Sequence, residues 1–243
     1  MTTLCGTKAH TRLEKVRAKR RKDYDTAEGL YDFLRNAIDQ KVSDDQYENV
    51  VMMEVQKIDT EKKEVVDIIL SIVMGFVVDE ESADKLVDFG FVKKVGKMIF
   101  LTPQIQEKIV SILTLACRSE KFSKEVLEKK VQKKIISSFD FHSSVFNYQL
   151  CSEFCKVLLS HKNLLNQSQI DEVRNFYLKA ICSKSTSVVQ DGLFNFYYFT
   201  TNLLFTLVPT DVFLKRISQL THHKNKALST LALNFSGFYQ IEY

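Results

Sequence analysis

A chain of 243 residues is long enough to bury most of its apolar surface as one domain or one continuous stack, and a second large domain is not expected. With 45% hydrophobic and 26% charged residues and no apolar run of about 18, it is neither a disordered chain nor a bundle of membrane spans. Only 7 Gly and 2 Pro leave almost no room for Gly-rich phosphate loops or Pro-rich linkers, and the depletion favours helices.

Residues 1–41 read as a basic N-terminal arm. From Lys8 to Lys22 eight basic residues face one acid, Glu14, whereas the whole chain carries only +4, so a basic arm is joined to a slightly acidic body. Arg12, Lys15, Arg17, Lys19, Arg20, Arg21 and Lys22 form its dense run, which leads into an amphipathic stretch, Ala27 to Arg35. Four readings stand side by side: a solvated tail, a segment that pairs with acidic residues of a receptor protein, a nuclear-localisation signal, and phosphate contact with RNA. No aromatic residue interrupts the run between Lys8 and Lys22, which disfavours readout of a single strand by base stacking.

Residues 42–243 are organised by repetition. Val87 and Val92 recur after 39 residues as Val126 and Val131, and each segment is followed by a long amphipathic helix such as Gln106 to Ala116. Further helices of this kind are expected to begin near Lys62, Asn147, Ser187 and Lys224. A period of roughly 40 residues falls in the range of armadillo and HEAT arrays. The fold expected is therefore all-α, a right-handed armadillo/HEAT-type α-solenoid superhelix of about four to five repeats. Its spine is expected to bury Phe89, Ile99, Ile109, Leu113, Phe154, Leu158, Phe176, Leu193, Phe196, Leu204, Ile217 and Leu231. The aromatic run Phe194 to Phe199 reads mainly as packing, and Phe235, Phe238, Tyr239 and Ile241 either fold back on the stack or meet a partner.

These residues resemble the armadillo family. Gly90 stands where the family turns sharply between a short first and a second helix, a place where a left-handed backbone is needed. Gln106-Glu107 through Leu113-Thr114, and Leu231-Ala232-Leu233-Asn234, are similar to its long third helix. The basic arm beside such an array resembles nuclear import adaptors of the importin-alpha type. In that family the third helices line a concave groove where a Trp and, four residues on, an Asn grip an extended basic peptide.

The resemblance places the Trp positions at Asp67, Ser111, Glu153, Phe194 and Thr230, and the Asn positions at Ser71, Leu115, Val157, Tyr198 and Asn234. Only Asn234 keeps the family's residue and the chain has no Trp, so Phe194 and Tyr198 are the candidates to stack on Lys or Arg, with Asp67, Glu153 and Asp191 to attract a basic ligand. It implies a protein partner, an extended peptide or a larger assembly, an importin-beta-type carrier held by the arm, and residence in cytoplasm and nucleus. A scaffold subunit of a larger assembly and an RNA-associated factor using the arm are the alternatives, and no membrane is expected.

No enzyme is expected. His10, His142, His161, His222 and His223 fall in no nucleophile, metal or kinase signature, and no Gly-rich loop exists to cradle a phosphate. The cysteines, an odd five, follow no apolar leader, which points to a reducing compartment. Cys151 and Cys155 share a helical face but lack zinc-spaced companions, so they read as buried thiols, and no cofactor or metal is expected.

Overall fold

Apolar residues spaced three and four apart force the chain into helices that cannot bury their stripes alone, and the structure shows how they share them. A computed structural model describes residues 27–138, 145–202, 204–205 and 210–239, with Val145, Phe146 and Tyr239 described by backbone only. Among the described residues all regular structure is helical, and the chain divides into two compact units, residues 1–115 and 116–243.

Unit 1 begins with α1 (Ala27–Ile38), whose Leu30 and Phe33 are buried, so this part of the expected arm packs on the helices that follow. After α2 (Asp44–Lys57) and a 3-10 turn (Ile58–Thr60) comes α3 (Lys63–Phe76), the most apolar helix of the unit, with Ile69, Leu70, Ile72 and Val73 fully buried. Tyr47 of α2 lies against Phe33 and Phe76 and donates to the Ile72 carbonyl at 2.8 Å, which ties α1, α2 and α3 together. A triplet follows: α4 (Glu80–Asp88), α5 (Phe91–Met98) and α6 (Pro103–Ala116). Asp79 caps α4 by accepting from the Ser82 N–H, and Gly90, at φ 75°, makes the left-handed turn that the sequence required of it.

Unit 2 opens with the same device. α7 (Glu120–Glu128) is capped by Ser119 and α8 (Val131–Ser138) follows a left-handed turn, but here the turning residue is Lys130, at φ 56°. Both helices start and stop 40 residues after α4 and α5, not 39, so Leu86 and not Val87 is the counterpart of Val126. Leu86 and Val126 are each fully buried while Val87 is not, and burial rather than residue identity sets the register.

α9 (Val145–Ser160) completes that triplet; a 3-10 turn (Lys162–Leu164), α10 (Gln167–Ile181) and α11 (Thr186–Thr201) form the next repeat, and α12 (Asp211–Thr221) with α13 (Lys226–Tyr239) the last. The long helices α3, α6, α9, α11 and α13 thus begin 40, 42, 41 and 40 residues apart.

The unit 2 core is aromatic. Phe196 meets Phe205, Phe213 and Phe235, and Tyr177 meets Phe176, Phe199 and Phe205. α10 and α11 approach so closely that a Cβ added at Gly192 would sit 2.7 Å from that of Ala180. Arg216 of α12 donates to the carbonyls of Ile181 and Ser183, which satisfies the open end of α10. Nine of the twelve expected spine residues are buried; Phe89, Leu204 and Leu231 are only partly so.

Candidate functional site

In unit 2 the third helices α9, α11 and α13 present one row of positions. α11 buries Leu193, Asn195 and Phe196, so its period leaves Phe194 and Tyr198, one turn apart, on the outside, 55% and 52% exposed. Asp191 flanks them on the side of α9 and Tyr197 on the side of α13, where its ring meets Phe235 and Phe238. Thr230 and Asn234 are exposed on α13, and Glu153 is exposed on α9. The structure therefore places Glu153, Phe194, Tyr198, Thr230 and Asn234 on neighbouring helices of one unit.

The two acids of this face share one lysine of the chain. Glu153 pairs with Lys156 at 2.7 Å, and the Lys156 ammonium lies 3.8 Å from Asp191 Oδ1. The other oxygen of Asp191 receives Tyr148 Oη, Ser152 Oγ and Asn195 Nδ2 at 2.7–2.9 Å. That convergence locks α9 to α11. Burial first, and then the Asp191 charge, push the Tyr148 hydroxyl far above its ordinary range, so it stays a donor. Asp191 and Ser152 are 39 residues apart, and no short-range pattern in the sequence announces such a contact.

Unit 1 treats the corresponding row differently. Lys108 of α6 pairs with the Asp67 carboxylate at 2.8 Å, donates to Ser71 Oγ at 2.8 Å and also to the Asp67 carbonyl. Ser111 donates to the Glu107 carbonyl of its own helix. Asp67 and Ser71 are thus brought together around a lysine of this chain, and Asp67 reaches any visiting cation already compensated. Arg12, Lys15, Arg17, Lys19, Arg20, Arg21 and Lys22 lie outside the described residues.

Among the described residues three of the thiols are packed into the core. Cys117, Cys151 and Cys155 are buried and unbridged; burial pushes the Cys117 thiol up to about 12 and raises Cys155 as well, so neither is a nucleophile near neutral pH. His161 bonds the Cys117 carbonyl at 2.8 Å, while His222 and His223 stand in the turn before α13. Among the described residues no group of three His, Cys, Asp or Glu is placed to hold a metal, and no helix is long and apolar enough to cross a membrane.

No family model and no curated protein matches the chain. Solved structures do. A designed armadillo repeat protein in complex with the peptide (KR)4 superposes with a TM-score of 0.57 at 11% identity, over 97% of this chain and 95% of that one. The fold is an armadillo-type helical repeat. Computationally designed armadillo repeat proteins for modular peptide recognition give a TM-score of 0.55 at 10% identity over 92% and 93% of the two chains. An engineered protein gives 0.60 at 10% identity over 91% and 95%. At such identities the armadillo likeness is one of backbone, and ligand chemistry has to be argued from this chain's own side chains.

Proposed function

We propose that this armadillo array is a protein-binding module that seats an extended segment of a partner along α9, α11 and α13 of unit 2. The observation that carries the reading is the pair Phe194 and Tyr198, large rings half open to water on a helix that buries Phe196 and Phe199 and leaves Tyr197 only partly covered. Rings in that setting act as anchors, because covering them removes apolar area from water and their faces accept the stems or the charge of Lys and Arg. Asn234 on the adjacent helix adds an amide able to donate to and accept from a peptide backbone. The (KR)4 peptide belongs to a neighbour of the same fold and supports a peptide ligand. Because Glu153 and Asp67 are already paired with lysines, ring contact and backbone bonding contribute more here than net attraction to a basic ligand.

The sharper form of the proposal is an import adaptor whose basic arm engages an importin-beta-type carrier and whose groove takes basic cargo, moving between cytoplasm and nucleus. Affinity capture from native lysate, with and without nuclease, tests both levels. Phe194→Ala with Tyr198→Ala is expected to cut partner recovery about tenfold with folding unchanged; full recovery refutes the groove. Deleting residues 1–22 is expected to lose the carrier and keep the cargo. Loss of nucleic acid alone identifies an RNA-associated factor, and no loss identifies a scaffold subunit.

A further inference from the structure

Unit 2 contains a second recess, built by α7, α8, the 3-10 turn and α10 and sharing no residue with the α9, α11 and α13 face. It encloses about 630 Å³ and shares Lys133 and Glu172 with a smaller neighbour of about 200 Å³. Two buried acceptors on its wall have no donor among the described residues. Gln132 is 2% exposed and its Oε1 is unbonded, and Oε2 of Glu172 is likewise buried and unbonded. Lys133 lies 3.6 Å from the other oxygen of Glu172. An acceptor withdrawn from water without a donor is unfavourable until something supplies one. The rim has the opposite need: Lys124 and Lys130 are exposed, line the recess and form no ion pair among the described residues.

We infer that this recess is a second peptide site that takes an acidic, extended segment of a partner protein. The segment's backbone N–H groups supply the donors that Gln132 and Glu172 lack, and its carboxylates meet Lys124 and Lys130. A nucleic-acid strand fits worse, because its backbone has no N–H to offer the two acceptors.

The test titrates the isotope-labelled full chain with a short peptide of alternating Glu and Ser at physiological salt, following amide shifts and, with a dye-labelled copy, affinity. Shifts are expected at residues 124–133 and 163–172. Gln132→Leu, near in size and apolar, is expected to keep or raise the melting temperature while weakening the peptide about fivefold. Lys124→Ala with Lys130→Ala is expected to weaken it about tenfold. Phe194→Ala with Tyr198→Ala is expected to leave it unchanged, so this site and the groove fail separately. Shifts confined to residues 8–22, affinity indifferent to Gln132→Leu, or tighter binding of a short oligouridylate at 124–133 would each overturn the assignment.

Discussion

In unit 1 the outward positions of the third helices are occupied by an internal crosslink, with Asp67 and Ser71 both holding Lys108, whereas in unit 2 the same kind of position on α11 carries two rings half open to water. The backbone repeat is shared and the chemistry hung on it is not. An array of this type fixes where a side chain will stand, and leaves each repeat free to close its own surface or to offer it.

The largest test of that contrast separates two phenylalanines two residues apart. Phe196→Ala is expected to cost about 3–5 kcal/mol in denaturant unfolding, since its ring packs against three others. Phe194→Ala is expected to cost under about 0.5 kcal/mol. If the two cost the same, the division of α11 into spine and surface is wrong.

Next comes Gly192→Ala, which would press a methyl onto the Ala180 Cβ and against the backbone of α10. About 1–3 kcal/mol is expected, visible as a lower thermal midpoint.

The left-handed turns then compare the units directly. Gly90→Ala is expected to lose about 1 kcal/mol and Lys130→Gly to gain about as much, both read from urea midpoints.

Acid titration sharpens unit 1 further. Hydrogen bonds from Lys94 and then Lys97 hold the Asp59 carboxyl at about 2, below the ordinary value, so its contribution is present above about pH 4 and fades as pH falls toward 2. Asp59→Asn is expected to remove that acid-side loss and to lower stability at neutral pH by under about 1 kcal/mol.

The smallest effect is Lys108→Ala, about 0.5 kcal/mol and smaller in high salt, because Asp67 and Lys108 are both partly exposed.

Much of this architecture is legible in the sequence because a helix periodicity is a local signal. Starts expected near Lys62, Asn147, Ser187 and Lys224 fall at Lys63, Val145, Thr186 and Lys226. Gly90 announces its own backbone, while Lys130 does not, since nothing about a lysine predicts a left-handed turn. Matching valines gave an interval of 39 where the helices keep 40; the buried stripe tolerates Leu for Val, so identity is a poor guide to register.

Phe194 and Tyr198 were reachable by aligning third helices. The Lys108 crosslink and the donors around Asp191 join residues about 40 apart, and such contacts exist only once helices are stacked. The pair Gln132 and Glu172 gave no signal at all, because an unmatched buried acceptor is a property of packing and not of residue type.

Asp191 is held more firmly than the other acids of its face. With three donors gathered on one oxygen, its carboxylate cannot swivel, and the remaining oxygen is held toward Lys156. The direction in which this anion faces solvent is therefore set during folding, by the donors of α9 and α11, and not by free rotation of the carboxylate.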